Sequence, residues 1–196
     1  NALIAAGVQP GDRVGVLAKG SDDFFILWMG CLKARACLTP VNWRLAPPEI
    51  AFILKDAGAR VLFCGADYAP VVSDIAGDIP GVTTFVHMEP GHAAWPDFRT
   101  WIGAAPADDP QLAVQPDDDA IQLYTSGTTG LPKGVQLTQA NYLALFASGQ
   151  AAWCQMKHGE VMLVAMPLFH VAGANMGVLS FLVGGKAVIL REVDPA

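Results

Sequence analysis

Strand-like and helix-like segments alternate along this chain, and no other feature narrows its possible folds as much. "RVGVLA" (13–18) is an apolar run of strand length, and "DDFFILWMGCLKAR" (22–35) has helical length and spacing behind Ser21, a good N-cap. "CLTPVN" reads as a short strand, and "PPEIAFILKDAG" as a helix with proline at its start and Gly58 at its end. "RVLFC" (60–64) is the next strand. A weaker helix (68–76), the strand "VTTFVHM" (82–88) and a short helix near 97–104 follow. The second half repeats the alternation. It has strands at 120–124 and 135–138, a helix from Gln139 capped by Thr138, and a strand at 160–166. The loop "PLFH", the helix "VAGANMGVLSFLV" and a strand at 186–190 complete it. Several strands are continuous apolar runs, the pattern of strands covered on both sides. The expected fold class is therefore α/β, with mostly parallel sheets and helices on both faces.

Two stretches interrupt this rhythm. "NALIAAG" reads as the tail of a helix closed by Gly7, so the chain enters in mid-element. "AAPADDPQLAVQPDDD" (104–119) is rich in proline and aspartate and reads as a linker or long surface loop. It divides the chain into an α/β portion at 1–104, a linker at 105–119 and a second α/β portion at 120–196. Asp117, Asp118 and Asp119 are expected to form a solvated face, because three adjacent carboxylates on a loop cannot converge on one metal ion.

Composition excludes several partners. The net charge is −6 and only 15% of residues are charged, with no clustered Lys and Arg. Neither nucleic acid nor an anionic membrane surface fits such a chain. The cysteines, Cys31, Cys37, Cys64 and Cys154, form no CxxC pair and read as reduced thiols of a cytoplasmic protein. His87, His92, His158 and His170 make no metal-ligand spacing, so no structural metal is expected. The start shows no signal peptide. The uncharged run from Val161 to Gly185 is broken by Pro167, His170 and Asn175 and by turns, so it reads as buried core and not as a membrane span. Hydrophobic residues make up 53% of the chain, so some apolar surface is expected to be exposed or paired in a homo-oligomer.

The chemistry concentrates in "YTSGTTGLPKGV" (124–135). Glycines let backbone N–H groups approach a ligand, hydroxyls donate and accept, and Lys133 supplies one mobile positive charge. That combination suits a polyphosphate. It is not a Walker A loop: Pro132 stands where a glycine should precede the lysine, and Gly134 stands where the Mg²⁺-binding hydroxyl should follow. A strand follows it in place of a helix, so the loop reads as a hairpin-like phosphate clamp.

This stretch resembles, at every position, the [ST]-S-G-[ST]-[ST]-G-x-P-K-G signature of the AMP-forming acyl-CoA synthetases and related adenylate-forming enzymes. "MPLFHVAG" (166–173) resembles that family's aromatic motif at the acyl pocket, and "GGKAVIL" the strand after it. "CLTPVNWRLAPPEIAFILKDAGARVLF" is similar to its "P-x-N-x-R-[LY]-[ST]-x-x-E-[IL]" segment. The resemblance covers essentially the whole chain but only the N-terminal part of the family.

The resemblance implies a two-step reaction using ATP, Mg²⁺ and coenzyme A. A carboxylate attacks the α-phosphorus and expels pyrophosphate, and the thiol then displaces AMP from the acyl-adenylate. Residues Thr125, Ser126, Gly127, Thr128, Thr129 and Gly130 would wrap the phosphates, and Lys133 would neutralise the departing pyrophosphate. Phe169, His170 and Gly173 would face the acid, with Gly173 and Gly177 leaving room for an acyl chain. His170 stands where amino-acid-activating relatives carry Asp, which favours a fatty or aryl acid. Tyr124 fits either pocket wall or core. The family's adenine, ribose, hinge and C-terminal segments have no counterpart here, so the chain reads as an internal piece of the N-terminal domain, inactive alone. Two alternatives stand beside this reading: an amino-acid or luciferase-type adenylation domain, and a non-catalytic module that only docks phosphate.

Overall fold

The computed structural model describes residues 1–91, 94–126, 130–149 and 156–193. The alternation read from the sequence is present almost element for element. Helix α1 (Ala2–Ala5) leads to strand β1 (Arg13–Leu17), helix α2 (Asp22–Lys33) and strand β2 (Cys37–Pro40). Helix α3 (Pro47–Ala57), strand β3 (Ala59–Cys64), helix α4 (Ala69–Ile75), strand β4 (Thr84–His87) and helix α5 (Phe98–Gly103) follow. Then come strands β5 (Asp119–Thr125) and β6 (Lys133–Thr138), helix α6 (Gln139–Gly149), strand β7 (Val161–Val164), helix α7 (Val171–Leu182) and strand β8 (Lys186–Ile189).

Six strands form one sheet in the order β4-β3-β1-β2-β5-β6, parallel except for the antiparallel β5–β6 pair. The sheet runs across the expected division: residues 105–119 deliver the chain to β5, which lies beside β2. Strands β7 and β8 make a separate parallel pair.

The period of two in each strand supplies two cores. On β3, Val61 and Phe63 face one side with α2, α6 and α7. Leu62 and Cys64 face the other, with α3 and α4. Trp28 of α2 is buried and donates its indole N–H to the Ala120 carbonyl at 2.9 Å, tying that helix to β5. At α3, the Ala46 N–H donates to Glu49 at 2.9 Å at one end, and Gly58 closes the other with φ 69°. Thr138 and Asn141 cap α6 reciprocally: each backbone N–H donates to the other's side chain, at 3.0 and 3.2 Å. Ser21 occupies the N-cap position of α2 but makes no capping hydrogen bond.

Two expectations need correction. The Asp117–Asp119 run is not a solvated face. Asp118 takes a two-pronged contact from Arg35, both bonds at 2.8 Å, and Asp119 pairs with Arg13 at 2.8 Å; only Asp117 is exposed. The arginines on α2's exit and on β1 reach the run because β5 enters the sheet beside β2. The Val161–Gly185 run is only partly core, since Val161 is 61% and Leu163 52% exposed on one face of β7. Among the described residues, no helix is long and apolar enough to cross a membrane. Cys31, Cys37 and Cys64 are buried free thiols, and burial pushes Cys37 and Cys64 up to about 12. His92 and Cys154 lie outside the described residues.

Candidate active site

Parallel strands all present their carboxyl ends on one side of a sheet, where loops are free to build a site. Here β1, β2, β3 and β5 leave the sheet on that side at Lys19, Trp43–Arg44, Asp67 and Thr125. Strand β7 points the segment 165–170 and β8 points Arg191 into the same region. Trp43, Arg44, Met166, Pro167 and Arg191 line one crevice of about 380 Å³.

The expected clamp is a hairpin. Thr125 and Lys133 are cross-strand partners, so their side chains share one face of the ribbon. Thr125, Ser126, Gly130 and Lys133 are all exposed. Gly130 has φ +104°, a backbone conformation that L side chains rarely adopt. Gly127, Thr128 and Thr129 lie outside the described residues. Among the described residues Lys133 has no carboxylate partner, so its charge is available to an anion.

The opposite face of the hairpin carries a hydrogen-bond network at Gln122 and Tyr124. The Tyr124 hydroxyl donates to Asp56 of α3 at 2.6 Å and accepts from the Gln122 amide at 3.1 Å. Arg13 Nε donates to the Gln122 oxygen at 3.2 Å, and Arg13 also pairs with Asp119. Burial, and then the Asp56 carboxylate, hold the Tyr124 phenol above its ordinary pKa. Tyr124 is therefore neither plain pocket wall nor plain core. Gly134 faces this network, and a Cβ there would meet the Gln122 amide and stand 3.0 Å from the Tyr124 ring.

The second motif closes the crevice. Phe169 is half-buried and meets Trp43 edge-on at 6.1 Å. The Arg44 guanidinium lies over the Trp43 ring at 4.5 Å and over Phe169 at 6.0 Å. His170 is exposed and caps α7, its Nδ1 accepting the Ala172 N–H at 3.2 Å. Lys19 pairs with Glu192 at 2.8 Å and Arg191 with Glu89 at 2.9 Å, so ion pairs join the two sheets at their carboxyl ends. The glycines of α7 do not leave room for an acyl chain. Gly173 is buried against the Met166 and Pro167 carbonyls, and Gly177 against the Phe25 ring.

Sequence reasoning missed Trp43 and Arg44 as site residues, although both lie in a segment whose resemblance was visible. It also missed Asp56, for which the sequence carried no signal. Among the described residues no group of three or more His, Cys, Asp or Glu side chains could hold a metal ion.

Comparison with known proteins accords with this geometry. A model of the AMP-binding enzyme family matches residues 1–196. The chain is 39% identical, over 194 residues, to a fatty acid–[acyl-carrier-protein] ligase of Streptomyces coeruleorubidus, covering 97% of this chain and 36% of that protein. It is 35% identical, over 203 residues, to a long-chain-fatty-acid–CoA ligase of Mycobacterium tuberculosis strain H37Rv, covering 98% and 37%. Among solved structures, the fold matches an anthranilate CoA ligase in complex with anthranoyl-AMP, with TM-score 0.90 and 27% identity over 98% of this chain and 38% of that one. It also matches a Mycobacterium tuberculosis fatty acyl CoA synthetase, with TM-score 0.85 and 32% identity over 98% and 37%. The chain thus spans a little over a third of the length of these relatives.

Proposed function

Because the chain belongs to the AMP-binding enzyme family, we propose that it forms the phosphate-clamping part of an ATP-dependent acid–thiol ligase. The observation that carries this reading is the hairpin: Thr125 and Lys133 face each other on one exposed side, and the lysine has no carboxylate partner among the described residues. A triphosphate needs hydroxyl and N–H donors together with a cation near its departing end. Ser126, Thr128 and Thr129 supply further donors, and Gly127 and Gly130 let the backbone close on the phosphates. Mg²⁺ enters with ATP as part of the substrate.

In the first step a carboxylate oxygen of the acid bonds to the α-phosphorus. The phosphorus–oxygen bond to pyrophosphate breaks, and its electron pair leaves with the pyrophosphate. Lys133 offsets the charge that develops there. Holding the two reactants in line supplies much of the rate, since little covalent help from the protein is needed. In the second step the thiol sulfur of coenzyme A bonds to the acyl carbon, AMP leaves with the carbon–oxygen electron pair, and the thiol proton passes to solvent. Phe169 and His170 face the acid, and the close packing at Gly173 fixes the segment that carries them. A fatty or aryl acid fits best, because His170 offers no carboxylate to an amino-acid ammonium. The relatives named above act on such acids.

Carboxylate-dependent ATP–pyrophosphate exchange tests this reading. The full-length enzyme is expected to exchange with a fatty or aryl acid. Lys133→Ala should slow exchange at least tenfold with the acid's KM little changed, since one charge-assisted contact is worth roughly 1.5–3 kcal/mol. The isolated chain is expected to be inactive. Exchange only with amino acids would favour an amino-acid-activating enzyme, and phosphate binding without exchange would favour a docking module.

A further inference from the structure

We propose that Tyr124, Gln122 and Asp56 are positioning residues that pin the back of the phosphate hairpin and so set where Thr125 and Lys133 stand. The proposal rests on the acid-activation reading given above. It starts from strand geometry: residues 122 and 124 share the face opposite Thr125 and Lys133. The front face is core at Ile121 and Leu123 and becomes exposed at its tip, where Thr125 and Lys133 stand open to phosphate, and the back carries a continuous chain of donors and acceptors.

That chain has one consistent direction. Arg13 donates to the Gln122 oxygen at 3.2 Å, the Gln122 amide donates to the Tyr124 hydroxyl at 3.1 Å, and Tyr124 donates to Asp56 at 2.6 Å. Its ends are fixed on other elements. Arg13 belongs to β1 and is held by Asp119 at 2.8 Å, while Asp56 stands in the last turn of α3. The amide of Gln122, a residue only 5% exposed, must keep its oxygen toward Arg13, because reversing it would set donor against donor. The network therefore has one satisfied arrangement, and it fixes the back of β5 to β1 and α3.

Gly134 completes the device. Paired with Tyr124 across the ribbon, it leaves the space that the Tyr124 ring and the Gln122 amide occupy. Lys133 is its immediate neighbour. The lysine's height and direction thus follow from how closely Gly134 can approach the back network, and from the Thr125 pairing. A long loop between two strands gives no such precision by itself, because conformational freedom grows with its length.

Full-length enzyme carrying Tyr124→Phe, Asp56→Ala, Asp56→Asn and the Tyr124→Phe/Asp56→Ala pair tests the proposal. Pyrophosphate exchange should show the KM for ATP raised about tenfold in Tyr124→Phe and in Asp56→Ala, with the KM for the acid unchanged. Asp56→Asn, which keeps an acceptor oxygen, should recover most of the Asp56→Ala loss. The pair should be no worse than either single change, because both cut one chain. Amide hydrogen exchange should quicken about tenfold at Leu123 and Val135 and stay unchanged in β1 and β3. A purely structural role would instead lower the melting temperature and leave both KM values alone, and that outcome overturns the proposal. Exchange activity absent from the wild type with every acid would overturn the acid-activation reading. Hydrogen exchange then still decides the hairpin: unchanged rates at Leu123 and Val135 in Tyr124→Phe overturn the pinning.

Discussion

The six-stranded sheet and the β7–β8 pair are built from the same material and covered differently. In the first, Val14, Leu62 and Phe63 are fully buried, and helices lie on both faces. In the second, Val164 packs into the core with Met162 beside it, but Val161, Leu163 and Val188 are 61%, 52% and 49% exposed. Both sheets use parallel strands, which ordinarily require cover on both faces. An apolar run states that a strand wants cover on both sides; it does not state whether the cover comes from nearby sequence or from another surface.

The comparison breaks or sharpens most sharply in urea unfolding. Phe63→Ala should cost about 3–5 kcal/mol, the usual loss for a large aromatic in a closed core, whereas Leu163→Ala should cost less than about 1 kcal/mol. Equal losses would mean that the outer face of β7 is covered in solution, and sedimentation would show whether a second copy covers it. A smaller effect is expected where α7 packs on α2. A Cβ at residue 177 would overlap Phe25 Cζ and stand 2.7 and 2.9 Å from two other atoms of that ring. Phe24 and Phe181 pack edge-on against the same ring at 5.3 and 5.1 Å. Gly177→Ala should thus lower stability by about 1–2 kcal/mol even though alanine favours helix. No loss would show that α7 shifts freely with the second sheet.

The smallest effect concerns the acidic run at the amino end of β5. Hydrogen bonds from Arg35 hold the Asp118 carboxyl below the ordinary carboxylate range. The folded chain then binds fewer protons than the unfolded chain, so the stabilisation is present above the unfolded pKa of about 3.9. It is lost as pH falls through the lower folded value. Asp118→Asn should cost on the order of 1 kcal/mol at pH 7 and little at pH 2, read from unfolding at the two pH values. An equal cost at both would assign the effect to packing and not to charge.

Much of the fold was legible because its determinants are local. Gly58 and the proline pair at 47–48 bound α3, and Thr138 starts α6 where expected. The hairpin was legible for the same reason, since apolar strands flank a glycine-rich turn. What stayed hidden depends on residues far apart in the chain. Asp118 meets Arg35 across 83 positions, Asp119 meets Arg13 across 106, and Tyr124 meets Asp56 across 68. No periodicity or turn chemistry encodes such pairings. Glycine was misread for a related reason. Gly173 and Gly177 suggest open space in a linear sequence, but the chain's own carbonyls and the Phe25 ring fill it.

The cap on α7 settles the tautomer of an exposed residue of the second motif. His170 Nδ1 accepts the Ala172 amide, so the proton of the neutral ring sits on Nε2. The ring is held at its inner nitrogen, and Nε2 is left to donate a hydrogen bond to an incoming molecule. That geometry suits it to hold an oxygen in place.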